Sequence, residues 1–139
     1  MNKWFGAAGV CINERGEILM VKQGLPKEEK LWSIPSGGKE INESYEACCI
    51  REVREETGYD VQIVKPLFIK ESVERGIDVK VHYFEVKIIG GTTKIQDPDN
   101  LIYEIDWKAA HEVEQLALSF DKDREFLLNF VYEKMKDIQ

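Results

Sequence analysis

Two runs of β-branched and aromatic residues, Val61 to Val73 and Asp78 to Ile89, are separated by Glu74-Arg75-Gly76. That pattern predicts two long strands joined by a tight turn, so the chain is committed to a sheet. Immediately before it, Glu43 to Thr57 contains no Gly or Pro and ends against Gly58, which predicts a single helix with a glycine stop. A long hairpin preceded by one helix excludes both an all-helical bundle and an all-β sandwich. The expected class is a mixed α+β domain.

The remaining segments fit that class. Trp4 to Ile12 and Glu17 to Val21 predict strands joined by Asn13-Glu14-Arg15-Gly16, and Leu31 to Pro35 predicts a short strand end. Ser36-Gly37-Gly38-Lys39 reads as irregular backbone and Asp97-Pro98-Asp99-Asn100 as a turn. Ile102 to Trp107 is expected to be a strand, and Ala109 to Leu116 a short helix. Asp121 to Lys136 carries an apolar stripe of Phe126, Leu127, Phe130, Val131 and Met135, so a final helix is expected. With 139 residues and no repeat or linker, residues 1–139 read as one domain. No apolar run approaches the ~20 residues that span a bilayer, so no membrane partner is expected. The apolar start reads on as a strand, and no cleaved leader is expected.

Three cysteines, two of them adjacent, form no disulfide framework, and a reducing, cytoplasmic setting is the expectation. Cys48 and Cys49 read as core packing. The net charge of -7, with no basic cluster, argues against a nucleic-acid partner. A homodimer is compatible with the sequence. His82 and His111 have no Cys or His at ligand spacing, so neither reads as a zinc ligand.

At 100° per residue, with Ala47 at zero, Ile50, Val53 and Cys49 fall at about 300°, 240° and 200°. This is the face to be buried. Glu55, Glu52 and Glu56 fall at about 80°, 140° and 180°, so three carboxylates share an arc of about 100°. Like charges at i,i+3 and i,i+4 oppose the helix by a few tenths of a kcal/mol per pair, and Arg51 and Arg54 offset this in part. Angles alone allow two readings: a solvated acidic face, or a site for hard divalent cations beside a glycine-rich loop.

The spacing goes further. Gly37, Glu43, Arg51, Glu52, Glu55, Glu56 and Gly58 stand at the seven fixed positions of a pattern that resembles the Nudix box, here residues 37–59. With each residue type at about one in fifteen, a chance match at a given start is on the order of one in 10⁸. Tyr59 departs from the aliphatic residue that usually ends the box. Trp32-Ser33-Ile34-Pro35 before the box and Trp107 after it stand in the order of a Nudix (MutT-like) domain.

The resemblance implies an α/β/α sandwich around a mixed β-sheet. It also implies hydrolysis of a small-molecule nucleotide, a nucleoside diphosphate linked to another group, with Mg²⁺ or Mn²⁺ as cofactor. By the same resemblance Glu52, Glu55 and Glu56 are metal ligands, the Gly37 carbonyl adds an oxygen, and Glu52 orients or deprotonates water. Arg51 then pairs with a glutamate, and Glu43 braces loop and helix. The charges support the cation: a diphosphate near carboxylates meets repulsion of ~1 kcal/mol per pair at 4 Å even in water, unless cations bind both.

Outside the box, Glu104 is the candidate additional acid. Lys39 and Arg75 are candidate phosphate contacts, and Trp32 is a candidate aromatic substrate contact, as are Trp4, Phe5, Tyr83 and Phe84. For each of these a surface or core role is the competing reading. The substrate stays open among nucleoside triphosphates and other nucleotide derivatives, and the acidic charge weakens 5′-end RNA. A Nudix-fold module that binds a nucleotide without turnover is the alternative function. It needs a pocket and one acid, whereas cleavage needs a complete array.

Overall fold

The computed structural model describes residues 2–94 and 101–138. In chain order its elements are β1 (Lys3–Val10), β2 (Ile18–Gln23), β3 (Leu31–Ser33), β4 (Ser36–Gly38), α1 (Tyr45–Thr57), β5 (Tyr59–Glu74), β6 (Ile77–Gly91), β7 (Ile102–Lys108), α2 (Ala110–Val113) and α3 (Asp123–Ile138). The expected turn Asp97 to Asn100 lies outside the described residues.

The hairpin of β5 and β6 pairs from Tyr59 opposite Gly91 to Glu74 opposite Ile77. Its two turn residues, Arg75 and Gly76, both take positive φ, 52° and 77°. That backbone twists with the strands, and the glycine supplies half of it without strain. Helix α1 starts at Tyr45, two residues later than the sequence suggests. Ser44 stands at its N-cap and accepts the Ala47 N–H at 3.0 Å. Gly58 closes the helix in the left-handed region, its N–H donating to the Arg54 carbonyl at 2.8 Å.

The strands divide into two sheets. One runs β4-β1-β6-β5, with β1 parallel to β6 and its other pairs antiparallel; the other is antiparallel, β3-β2-β7. Ser36 to Gly38, expected to be irregular, is an edge strand set against Gly6 to Ala8. Glycine has little intrinsic strand preference, so the pairing comes from β1. Backbone bonds Gly9 N–H to Pro35 O and Lys39 N–H to Phe5 O extend it on either side, at 3.0 and 2.8 Å. Only Ala110 to Val113 of the expected Ala109–Leu116 helix is helical. Arg124 ends it, donating from Nη1 to the carbonyls of Val113 and Leu116 at 2.7 and 2.9 Å.

Strand alternation makes the layers. Ala8, Val10, Ile18, Met20 and Tyr83 turn to the side of α2 and α3, where they meet Val113, Leu127 and Val131. Ala7, Leu19, Phe84 and Val86 turn the other way onto Cys48, Cys49 and Val53 of α1. Both faces of the strand layer are therefore covered by helices, in an α+β fold. No helix among the described residues is long and apolar enough to cross a membrane.

Candidate metal and phosphate site

Helix α1 packs its cysteine and valine face on β1 and β5, which turns its glutamates toward the edge formed by β4. The three-residue strand and the helix meet through side chain and backbone. Glu56 is buried, and its Oε1 accepts the Ser36 N–H at 3.2 Å. A Cβ at Gly37 would overlap the Glu52 carboxylate, so glycine lets that acid rest against the strand where any side chain would displace it. The Gly37 carbonyl accepts the Cys48 thiol at 3.6 Å. Burial pushes that thiol up to about 12, so it remains a neutral donor.

Arg51 is the hub. Its Nε and Nη2 donate to the two oxygens of Glu43 at 2.7 and 2.9 Å, a paired fork. Nη2 also donates to the Gly38 carbonyl at 2.8 Å, and Nη1 to Glu52 at 2.8 Å and to Glu55 at 3.4 Å. The hydrogen bonds from Arg51 draw the Glu43 carboxyl down from 4.5 to about 2. Those bonds also raise the guanidinium's own pKa, so it stays charged. Glu52 moves the opposite way: burial raises its carboxyl, against the lowering effect of Arg51.

The Glu52, Glu55 and Glu56 carboxylates and the Gly37 carbonyl are hard oxygen donors, which suits a hard cation. Among the described residues no three His, Cys, Asp or Glu side chains stand as a ready ligand cluster. The Arg51 guanidinium supplies the positive charge between Glu52 and Glu55, the charge that a cation would bring.

Not every candidate from the sequence gathers here. Lys39 follows β4 directly, its Nζ 3.3 Å from the Glu40 carbonyl and 5.7 Å from the Tyr45 ring centre. Arg75 sits at the hairpin tip. Trp32 is buried in the α3-side core beneath the Lys108 ammonium, which stands 4.3 Å from its ring. Glu104 lies on β7 opposite Lys22 and is exposed. Its neighbours Ile105 and Trp107 face the α1 layer, so alternation turns Glu104 to the opposite side from the helix glutamates.

One polar group was not anticipated. Asp123, at the start of α3, is buried. It accepts the Tyr83 hydroxyl at 2.9 Å and the Lys70 ammonium at 3.0 Å. The Lys70 ammonium also lies 4.6 Å from the Phe120 ring centre. These groups line a cavity of about 60 Å³ that also has Ser36 in its wall. In the sequence, Asp123 reads only as a first-turn acid, and its partners lie 40 and 53 residues away.

The NUDIX domain family matches residues 3–130. Nudix hydrolase 5 of Arabidopsis thaliana is 32% identical over 110 residues, 77% of this chain and 36% of that protein. A protein of Bacillus subtilis described as a putative 8-oxo-dGTP diphosphatase is 33% identical over 86 residues, 62% of this chain and 54% of its own length. The chain thus spans about a third to a half of these two relatives. Among solved structures, a NUDIX hydrolase from Nitrosomonas europaea superposes with a TM-score of 0.82 at 19% identity, covering 99% of this chain and 96% of that one. A MutT NUDIX hydrolase from Burkholderia pseudomallei gives 0.75 at 19% identity, covering 93% and 98%. At such identity those two speak for the fold, while the family match covers nearly the whole sequence. The chain belongs to the NUDIX domain family.

Proposed function

We propose that this chain is a divalent-metal-dependent pyrophosphohydrolase that cleaves a small-molecule nucleotide, a nucleoside diphosphate linked to a second group, by attack of water on phosphorus. The observation that carries the reading is the seating of α1 on β4: Glu56 accepts the Ser36 N–H, the Glu52 carboxylate lies against Gly37, and Arg51, tied to Glu43 and the Gly38 carbonyl, reaches both Glu52 and Glu55. The relatives' names support hydrolysis of a phosphoanhydride bond, since one is described as a putative 8-oxo-dGTP diphosphatase.

Glu52, Glu55 and Glu56 would hold the Mg²⁺ or Mn²⁺, with the second lone pair of the Gly37 carbonyl as an additional oxygen. When bound, the cation offsets phosphate charge, polarises phosphoryl oxygens and lowers the pKa of water. The chain supplies the rest. Arg51 fixes the direction of Glu52, which orients the attacking water. Glu43 holds Arg51 in place through two charge-assisted bonds. Glu56 is set by the Ser36 N–H. The cavity beyond Ser36 receives the part of the substrate that carries no phosphate.

A panel of nucleoside di- and triphosphate derivatives with Mg²⁺ or Mn²⁺, read by phosphate release and product identity, tests this. Turnover that stops on chelation and returns with Mg²⁺ is expected. Full turnover after exhaustive chelation overturns the mechanism. Binding across the panel with no turnover replaces it with a nucleotide-binding module.

A further inference from the structure

We propose that the ledge of sheet left uncovered in front of α1 is a self-docking surface, on which a second copy of this chain packs face to face about a two-fold axis. The proposal is independent of the hydrolase reading.

The ledge follows from register. Residues directly opposite one another on paired strands share a face, so the side of Ala7 and Phe84 that meets α1 continues in two further rows toward the hairpin tip. One row is Phe5, Lys80 and Glu71, and the outermost is Lys3, Asp78 and Val73. Helix α1 begins behind them. Tyr45, its first residue, stacks on His82 one row further in, with ring centres 3.6 Å apart. The two outer rows line an open groove of about 490 Å³. Phe5 is 41% exposed, Val73 68%, and Ile69, opposite His82, 50%. Ile41, 91% exposed, stands in the loop between β4 and α1, two residues after the Lys39 N–H that donates to the Phe5 carbonyl. Single exposed apolar residues are ordinary, but four on and beside one ledge mark an interaction surface.

Height, charge and symmetry select the occupant. A helix packed on a sheet stands ~10 Å above it, and two sheets pack face to face at ~10 Å, so a second sheet fills the step in front of α1. The chain carries a net charge of -7, which opposes self-association, yet the ledge sets Lys3 and Lys80 against Glu71 and Asp78 and is neutral. Its charges also complement a copy of themselves. Asp78 and Lys80 follow one another on this face of β6, the middle strand of the three, ~7 Å apart. A two-fold axis across the strands, midway between the rows, lays each row on the other row of the second copy. Asp78 then faces Lys80 of the second copy, and Lys80 faces its Asp78, two reciprocal pairs. The same operation lays the Lys3 stem over Phe5 of the second copy and sends each α1 past the other's hairpin tip. An axis along the strands would set Asp78 on Asp78 and Lys80 on Lys80, so charge selects the first arrangement.

Sedimentation equilibrium of the full chain, from about 1 to about 500 µM, reads the assembly, with circular dichroism and thermal unfolding as checks on the fold. Wild type is expected to pass from single-chain to two-chain mass in roughly the micromolar range. Asp78→Lys and Lys80→Asp each oppose like charges twice across the axis. Each alone should raise the dissociation constant by about 10-fold or more. An equimolar mixture of the two variants restores both pairs and should return to within about three-fold of wild type. Misfolding of either variant cannot produce that recovery. Single-chain mass at every concentration overturns the proposal and leaves the ledge to a partner of another sequence. Self-association unchanged in either variant, or a mixture as weak as its components, overturns it as well.

Discussion

Glu43→Gln isolates the brace from the carboxylates that face the strand. Three donors converge on the two Glu43 oxygens: Arg51 Nε and Nη2, and the Glu40 N–H at 3.0 Å. Glutamine keeps the shape but offers one oxygen, so its amide N–H₂ must face a donor and one charge-assisted bond is lost. Such a bond contributes ~1.5–3 kcal/mol, and the guanidinium keeps Glu52 and Glu55 as its remaining counter-charges. A net cost of about 1.5–3 kcal/mol follows, which for a chain of this size lowers Tm by about 10 °C. The pH dependence has a definite sign. The Glu43 carboxyl titrates at about 2 in the fold against 4.5 ordinarily, so its contribution is complete above 4.5 and disappears as pH falls toward 2. Urea midpoints of wild type and Glu43→Gln, measured at pH 7, 5.5, 4.5 and 3.5, should differ most at the first two and by clearly less at the last, with convergence only toward pH 2. A gap that stays constant across that series, or no gap at pH 7, would refute the assignment of Glu43 as the anionic brace of Arg51.

Other outcomes follow from the same geometry. Glu55→Gln and Glu56→Gln should lower turnover by about 10² or more while Tm holds or rises slightly, because helix repulsion is relieved; near-normal turnover would remove them from the site. Gly37→Ala should raise the Mg²⁺ concentration for half activity, because its Cβ displaces the Glu52 carboxylate; unchanged metal dependence would contradict that contact. Glu104→Gln should leave that concentration as in wild type while Glu52→Gln raises it, and kinetics against Mg²⁺ decide between them. Asp123→Asn should destabilise by about 1–3 kcal/mol, since the Lys70 ammonium loses its anion, and thermal unfolding measures it.

The sequence is most legible where the chemistry is local. The helix arc, its glycine stop and the hairpin turn all follow from residues within one or two turns of one another, and each is present in the fold. The strand at Ser36–Gly38 was not visible, because glycine carries no strand signal and the partner is β1, some 30 residues earlier. The division into two sheets was likewise hidden, since alternation names faces and not neighbours. Arg75 and Trp32 each carried two readings, substrate contact or surface and core role, because type and position carry no distance. The structure puts Arg75 at the hairpin tip, next to Glu74 in the cavity wall, and Trp32 in the α3-side core. Asp123, Lys70 and Tyr83 form a buried group that only the meeting of α3 with the hairpin creates.

The parallel pairing of β1 with β6 has a kinetic consequence. Lys3 to Val10 is matched to Asp78 to Glu85, so the first strand must wait for a partner about 75 residues later. Until that loop closes, β4 has no settled neighbour, and the backbone that receives Glu52 and Glu56 has no fixed place. A nascent chain cut before β6 can form the helix of the box but cannot assemble the strand it works against. Pairings this distant in sequence slow folding, because the loop entropy is lost before the contacts form. Assembly of β4 against the helix of the box on a ribosome should therefore follow emergence of the second hairpin strand, and not completion of the sequence motif.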